Sequence, residues 1–285
     1  VYTTKVKGNN KINNVDNMFK GSGIYFNVPK NRIHKVLVDE AHRLSAKSGM
    51  FHNLGENQIK ELINAAKCSV FFIDESQRVT MDDIGSINEI KRFAKELGSE
   101  VTELELWSQF RCYGSEGYLA WVENDTLWGF NYDVVVCDSP EEMRELILEK
   151  NKVNNKSRIL AGYCWKWPKE GRNDSNFHDI VIGNFEISWN LEGGQAFAID
   201  KNSVNQAGCI HTTQGLEFDY VGVIIGDDLR YENGHVKTDF NKRASTDQSI
   251  KGIKTLYKQN PEEAKARADE IIKNTYRTLI TRGMK

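Results

Sequence analysis

The stretch "VLVDEAHRLS", residues 36–45, decides the fold, because an apolar run there ends on two carboxylates. Such a run predicts a β-strand buried on both faces, and strands of this kind belong to parallel sheets. Side chains that follow a parallel strand lie at the carboxyl edge of the sheet, where ligands bind in open α/β folds. The stretch therefore predicts an α/β protein with Asp39 and Glu40 at a ligand-binding edge.

Further apolar runs and three helical segments surround this stretch along the chain. The alternation of short strands with helices predicts parallel strands joined by crossover helices. Gly98 at the end of one helical segment and Ser139 at the start of another are typical helix boundaries. The polar segment 230–249 is predicted to be an exposed loop. The predicted strands are residues 35–40, 68–74, 101–106, 133–138, 158–164 and 220–225, and the predicted helices are 81–98, 138–151 and 261–273.

The composition predicts a soluble, globular chain, since 285 residues with 39% hydrophobic and 27% charged side chains can form two domain cores. The 38 basic and 40 acidic side chains give a net charge of -2, so nucleic-acid binding would require a local basic track. No apolar run reaches the length of a membrane-spanning helix, and we expect no membrane contact.

Five cysteines lie far apart and form no C-x-x-C pair, which argues against a zinc site or a disulfide framework. We expect them to be reduced core residues of a cytoplasmic protein. The first residues, "VYTTKVKGNN", lack an initiating methionine and do not form a signal peptide. We therefore expect the chain to be a piece of a longer protein.

The acid pair Asp39 and Glu40 has the residue types needed for phosphoryl transfer. One carboxylate at a sheet edge can hold Mg²⁺, and its neighbour can orient or deprotonate the attacking water. We predict Asp39 as the metal ligand and Glu40 as the catalytic base. The alternative is a helix N-terminus with ordinary capping acids.

Two later stretches add an amide and an arginine. "VFFIDESQRV", residues 70–79, is a second strand ending in acids, and the amide of Gln77 could sense a terminal phosphate or the attacking water. "SQFRCYGSEGYLAW", residues 108–121, contains Arg111. Its permanent positive charge is suited to stabilising the negative charge that develops on a phosphate during transfer. The alternatives are a surface glutamine and a solvated or salt-bridged arginine.

The stretch "GCIHTTQGLEFDYVGVIIG", residues 208–226, places a polar turn between two strands. Hydroxyl groups and a backbone freed by glycine suit phosphate contact, and Glu217 could reach a ribose or a metal-bound water. The chain ends with "NTYRTLITRGMK", an amphipathic helix that carries Arg282. The alternative for this helix is core packing, with its arginines outside.

A tryptophan-rich stretch, "GYCWKWPKEGRN" at 162–173, could bind single-stranded nucleic acid. Bases stack on aromatic faces such as Trp165 and Trp167, and the interleaved lysines attract phosphates. The alternative is that the tryptophan pair packs under an edge strand, as Pro168 favours.

The order of these stretches resembles motifs II to VI of superfamily 1 helicases of the UvrD-like group. More closely, the chain is similar to the bacterial Schlafen-type DNA/RNA helicase-like domain family, also called domain of unknown function 2075. The quoted stretches and "NLGENQIKELINAAKC" (53–68) carry the resemblance over nearly the whole chain. It implies a P-loop NTPase fold of two RecA-like parallel-sheet domains that bind ATP and Mg²⁺ between them. The first, truncated at its N-terminus, would span 1–128 and the second 129–285.

The resemblance also assigns roles to matching positions. Asp39 and Glu40 become the Mg²⁺ and water-activating acids, and Gln77 becomes the γ-phosphate sensor. Arg111 and Arg282 become the two arginines that reach the phosphates across the cleft. The turn in 208–226 would contact the nucleotide through Gln214, Gly215 and Glu217, and the nucleic acid through His211, Thr212 and Thr213.

One family feature is missing from the sequence. No Walker A pattern, G-x-x-x-x-G-K-[ST], occurs, and in the glycine-rich stretch 19–26 no lysine follows the glycines. We expect the loop to lie upstream and this chain alone to hydrolyse ATP negligibly. The resemblance implies part of an ATP-driven helicase or translocase acting on DNA or RNA, single-stranded by expectation. The alternatives are a regulatory ATP switch without unwinding and a binding or structural module that has lost its ATPase.

Overall fold

The computed structural model describes residues 18–49, 53–106, 111–124, 132–191 and 197–285, without the side chains at 111, 113, 116, 123 and 124. The chain divides into two compact units, Val1–Leu104 (unit 1) and Glu105–Lys285 (unit 2). The predicted domain boundary between 128 and 129 falls outside the described residues. It stays a prediction.

Unit 1 contains two strands and two α-helices, and unit 2 contains seven strands and five α-helices among the described residues. The strands are β1 Ile33–Val38, β2 Ala66–Phe71, β3 Ser157–Ala161, β4 Ile180–Ile182, β5 Phe185–Trp189, β6 Gln206–Gly208, β7 Tyr220–Ile224, β8 Leu229–Glu232 and β9 His235–Thr238. The α-helices are α1 Gln58–Ala65, α2 Ile87–Glu96, α3 Glu116–Asn124, α4 Pro140–Asn154, α5 Ile210–Thr213, α6 Ile253–Gln259 and α7 Pro261–Ile280. Short 3-10 helices include Glu75–Gln77, Arg111–Gly114 and Phe240–Lys242.

Unit 1 is built on the parallel pair β1 and β2. One face of this pair packs on α1 and α2, whose apolar stripes meet it through Ile59, Leu62 and Phe93. Each helix begins with a side-chain cap, because Asn57 accepts from the amide of Ile59 and a serine caps α2. Capping and one-sided burial together fix these helices over the strands.

Unit 2 is built on a five-stranded sheet with the order β4-β5-β6-β3-β7. All its neighbouring strands are parallel except β4, which runs antiparallel to β5. Every residue of the central strand β3 is buried, as expected for a strand covered on both faces. Helix α4 begins at the predicted Ser139 cap, which accepts from Glu142 N, and packs on β3 and β7.

The α/β class agrees with these largely parallel sheets, whereas the assignment of two RecA-like domains stays a prediction. The predicted strands at 101–106 and 133–138 are wrong: neither segment forms a strand, and Leu104 and Val136 are 86% and 91% exposed. An apolar run becomes a strand only where a neighbouring strand accepts its hydrogen bonds. These two segments have no such neighbour among the described residues.

The prediction of an exposed loop at 230–249 is also wrong in part. The segment contains most of the β8–β9 hairpin, and Arg243 and Ser249 are buried. The predicted helix 261–273 and the predicted amphipathic helix at the end of the chain form one continuous helix, α7, which ends at Ile280. Polarity misled the loop prediction, since Arg243, Asp247 and Ser249 bond to one another inside the unit.

The five cysteines are free thiols, and Cys112 and Cys209 are buried as predicted. Cys68 is exposed, because it lies on the uncovered face of β2, so its assignment to the core is wrong. In the described parts of the chain, no helix combines the length and apolar character needed to cross a membrane.

Candidate functional site

The carboxyl ends of β1 and β2 bring two acids to one edge of the unit 1 sheet. Backbone bonds continue the parallel pairing beyond the strands: Phe72 N donates to Val38 O at 2.9 Å, and Ala41 N donates to Phe72 O at 2.8 Å. Asp39 and Asp74 therefore follow the ends of neighbouring strands.

Asp39 and Glu40 have different surroundings at this edge. Asp39 is exposed, and its Oδ1 accepts a 3.0 Å bond from Glu40 N. Glu40 has a left-handed backbone with φ 51°, which is uncommon outside glycine and marks a constrained turn. Its Oε2 lies 3.1 Å from Nε2 of His42, a side chain that is almost fully buried. Asp39 is therefore exposed to solvent, whereas the carboxylate of Glu40 contacts the imidazole of His42.

Gln77 lies in the 3-10 helix that follows β2 and is buried. Its Nε2 donates to Asp74 Oδ2 at 2.8 Å, and its backbone N donates to Asp74 O at 3.0 Å. Asp74 also caps this short helix by accepting from Ser76 N at 3.1 Å. The amide predicted to sense phosphate is thus positioned by a carboxylate at the same edge.

The loop that leads into α2 packs tightly against the turn of the acid pair. A Cβ added at Gly85 would collide with Ala41 O, so this close backbone approach requires glycine. Glu75 Oε1 accepts a 2.8 Å bond from Ile87 N at the start of α2. The two strand ends and α2 therefore support one another around the acids.

In unit 2, the predicted nucleic-acid turn forms the short helix α5. Thr212 Oγ1 accepts a 2.8 Å bond from Cys209 N, and Thr213 Oγ1 donates to Cys209 O at 2.9 Å. His211 is exposed, and its ring centroid lies 6.2 Å from that of Tyr163. Both threonine hydroxyls are engaged in the turn itself, which leaves the His211 side chain as its exposed member. Nucleic-acid contact by these three residues stays a prediction.

The three residues predicted to contact the nucleotide follow α5. Gln214 ends the helix, with its N donating to Ile210 O at 2.8 Å. Gly215 has φ 74° and open space where a Cβ would lie, so the backbone conformation rather than crowding favours glycine. Glu217 is exposed. Their nucleotide contacts stay predictions.

The tryptophan-rich stretch follows β3, and both tryptophans are half-buried. The guanidinium carbon of Arg172 lies 3.7 Å from the centroid of the Trp167 ring, so a cation covers one face of this indole. Lys166, between Trp165 and Trp167, is exposed. The geometry combines packing with an exposed charge, and base stacking on Trp165 or Trp167 stays a prediction.

The two predicted phosphate-contacting arginines are described to different extents. Arg282 is buried inside unit 2, where its Nη1 lies 3.5 Å from Leu216 O, while its own carbonyl accepts from Phe218 N at 2.9 Å. The alternative that places this arginine outside is therefore wrong. The backbone of Arg111 begins a 3-10 helix, and its side chain lies outside the described part of the structure.

A buried network that the sequence analysis missed lies beyond the carboxyl end of β7. Asp228 accepts from the Tyr276 hydroxyl at 2.5 Å and from Arg243 Nε at 2.9 Å. Arg243 also pairs with Asp247 at 3.1 Å and donates to Thr275 Oγ1 at 2.9 Å. Although burial lowers the pKa of Arg243, the carboxylates of Asp247 and Asp228 outweigh it and raise that pKa. The network joins the 228–249 segment to α7.

The groups around this network are held in one protonation state near neutral pH. Burial raises the pKa of Cys164 to about 12, and the Asp228 carboxylate adds to the rise. Burial also raises the pKa of Tyr163 well above its ordinary value. A signal for this network was present in the sequence, because Asp227 and Asp228 follow β7 as acids follow β1.

The chain is similar to a known protein family over its whole length. The family described as Schlafen group 3, DNA/RNA helicase domain, matches residues 1–285. The chain belongs to this family. An uncharacterized protein of Saccharomyces cerevisiae is 25% identical over 281 residues, which cover 88% of this chain and 60% of the yeast protein. No solved structure matches the chain significantly.

The description of the Schlafen group 3 family names a DNA/RNA helicase domain, so the chain is related to helicase-like domains. The expected restriction to bacteria is wrong, because the yeast protein is a relative. The chain spans about 60% of the length of that relative. The relation to superfamily 1 and the roles of individual residues stay predictions.

Proposed function

We propose that this chain is the core of an ATP-dependent, helicase-like enzyme that acts on single-stranded DNA or RNA with Mg²⁺ as cofactor. One observation carries the proposal: the neighbouring parallel strands β1 and β2 both end in acids at the same sheet edge. That edge is where open α/β folds bind ligands. Membership of a DNA/RNA helicase domain family supports the same substrate class.

Asp39 is the residue that would hold Mg²⁺. Magnesium in nucleotide sites binds one or two carboxylates and completes its shell with phosphates and water. The exposed Asp39 fits this need, and in the described residues no group of three or more acidic, histidine or cysteine side chains forms a dedicated metal cage. When bound, Mg²⁺ would neutralise charge that develops on the transferred phosphate.

Glu40 is the proposed general base, and His42 is its positioning residue. The left-handed turn and the 3.1 Å contact with His42 restrict the Glu40 carboxylate before any substrate arrives. A base that is already held in one orientation loses no rotational freedom when it accepts a proton from the attacking water. Gln77, positioned by Asp74, is the proposed sensor of the terminal phosphate.

The test is ATP hydrolysis by the protein expressed from its complete reading frame, with and without single-stranded DNA and RNA. Glu40→Gln keeps the size and hydrogen-bonding capacity of the side chain but removes the base, so we expect a loss of about 100-fold or more. Glu149→Gln, at an exposed position of α4 outside every predicted site, is the matched control and should keep the full rate. We expect the isolated 285-residue chain to be nearly inactive, because it contains no Walker A pattern.

The outcomes separate the proposal from its alternatives. Hydrolysis that increases with nucleic acid and depends on Glu40 supports the helicase-like enzyme. Hydrolysis indifferent to both nucleic acids favours a regulatory switch without unwinding. A complete protein that hydrolyses no ATP would overturn the enzymatic proposal and favour a module that has lost its ATPase.

A further inference from the structure

A groove on unit 2 lies between β9, the 3-10 helix Phe240–Lys242, α6 and the first half of α7. It encloses about 830 Å³ and is lined by four lysines, Lys237, Lys254, Lys258 and Lys265. We call it the lysine groove. The rings of Phe240 and Tyr257 also line it, with their centroids 5.7 Å apart. The groove therefore combines cationic and aromatic side chains.

Three acids also line the groove, and each is engaged by a protein partner. Asp239 caps the 3-10 helix that begins at Phe240. Asp269 accepts a 2.8 Å bond from Thr238 Oγ1, and Glu262 pairs with Lys265 at 3.0 Å. Asp269 also pairs with Lys273 at 2.8 Å, so two of the three acids are paired with lysines, whereas Asp239 keeps its negative charge.

Lys254 and Lys258 are the lysines available for a ligand. Both are exposed, and their i, i+4 spacing places them on one face of α6. Neither forms an ion pair with any residue that the structure describes. Lys237, by contrast, lies 3.2 Å from Glu232. Two adjacent ammonium groups without protein partners are suited to successive phosphates of a polymer.

Nucleic-acid binding by a chain of nearly balanced charge requires a local basic track, and the sequence around the groove supplies one. Residues 235–258 contain five lysines, all exposed, and two aspartates. One aspartate, Asp247, is paired with the buried Arg243, so within residues 235–258 only Asp239 is an acid without a cationic partner in the described structure. In a chain with a net charge of -2, this local excess of positive charge can attract a polyanion.

The walls of the groove are fixed before any ligand binds. Arg243 anchors the segment after the 3-10 helix to Asp228 at 2.9 Å and to Thr275 of α7 at 2.9 Å. The Thr238–Asp269 bond joins β9 to the same helix. A preformed site binds without the cost of ordering its own backbone.

We propose that the lysine groove binds single-stranded nucleic acid, with Lys254 and Lys258 on phosphates and the Tyr257 ring against a base. Tyr257 is 40% exposed, and aromatic stacking favours strands whose bases are unpaired. The inference rests on the proposed function, since it supplies a surface for the nucleic-acid substrate. It adds a site that none of the predicted motifs includes.

The test is fluorescence anisotropy of the 285-residue chain with labelled oligothymidine and oligouridine at several salt concentrations. Lys254→Glu with Lys258→Glu should weaken binding by about tenfold or more and reduce the salt slope by about 1.4, or about 0.7 for each lost phosphate contact. Lys152→Glu with Lys201→Glu changes the net charge equally at two exposed positions of unit 2 and should leave binding within about twofold. Circular dichroism and thermal unfolding check that each variant is folded.

Tyr257→Ala separates stacking from charge. We expect it to weaken binding by about tenfold while the salt slope stays unchanged, because no phosphate contact is lost. Comparing the affinities for oligothymidine and oligouridine shows whether the groove prefers DNA or RNA.

The binding results distinguish a failure of the lysine-groove proposal from a failure of the proposed function. If the wild-type chain binds but the two double substitutions weaken binding equally, the proposal for the lysine groove is overturned. The proposal that the protein acts on nucleic acid then stands. If the wild-type chain binds neither polymer even at low salt, the nucleic-acid part of the proposed function fails, and the groove with it.

Discussion

Strands β1 and β3 have similarly apolar sequences but different surroundings in their units. Among the described residues of unit 1, β1 pairs only with β2, and its burial alternates from Leu37, 68% exposed, to Val38, 8% exposed. In unit 2, β3 lies between β6 and β7 and is buried at every residue. The difference teaches that an apolar run predicts a strand, whereas the neighbouring elements determine how much of it is buried.

The acids that follow the two sheets differ in the same way. At the edge of unit 1, Asp39 is exposed and open to a cation. Beyond β7 in unit 2, Asp228 is fully buried and bonded to Arg243 and Tyr276. The same sequence pattern therefore produces a candidate ligand site in one unit and an internal ion pair in the other.

The largest expected effect tests the buried ion pair. Arg243→Ala leaves Asp228 and Asp247 as buried charges without their cation, and we expect a loss of about 3–5 kcal/mol in the free energy of unfolding. Urea unfolding, with hydrogen exchange of unit 2 peptides, measures the loss. The control is Arg230→Ala, which breaks an exposed pair with Glu232 and should have little effect. Equal effects of the two substitutions would contradict the structural role of the network.

The next effect tests the two strands directly. Leu160→Ala in β3 removes a fully buried side chain and should cost about 2–5 kcal/mol. Leu37→Ala in β1 removes a side chain that is 68% exposed and should change stability by less than about 0.5 kcal/mol. The same urea titration compares the two variants. A comparable cost at Leu37 would show that the outer face of β1 is covered in solution.

The smallest expected effect is a loss of unit 2 stability at alkaline pH. The pKa of Cys164 is about 12 in the folded protein, above the ordinary thiol value, because of burial and the nearby Asp228. The folded state therefore holds this proton more tightly, so the stabilisation is complete below the unfolded pKa and is lost as pH rises toward the folded value. Thermal unfolding between about pH 8 and 11 measures the decline.

Cys164→Ala provides the control for the pH dependence. It removes the thiol but keeps the raised pKa values of Tyr163 and Tyr276, so the alkaline decline should become shallower without disappearing. An unchanged decline would assign the whole effect to the tyrosines. A steeper decline would contradict the assignment to Cys164.

Much of the candidate site in unit 1 was predictable from local sequence. The strand ending at Asp39, the second strand before Asp74 and the position of Gln77 all follow from apolar runs that stop at polar residues. The contact between Glu40 and His42 was not predictable, because it depends on a left-handed turn at a residue that rarely adopts one. The pair of Asp228 and Arg243 in unit 2 was missed for a different reason, because 15 residues separate them and local sequence does not show which distant residues meet.

The sequence by itself determined the α/β class, the start of α4 at its Ser139 cap, the family motifs and the missing Walker A pattern, because these depend on local order and periodicity. Only the tertiary structure decided which apolar runs became strands, which acids stayed exposed and where Arg282 lies. It also decided that a polar segment predicted to be a loop would form one wall of the lysine groove. These outcomes depend on contacts between residues far apart in the chain, and burial changes the energy of an apolar or charged side chain by several kcal/mol according to its partners.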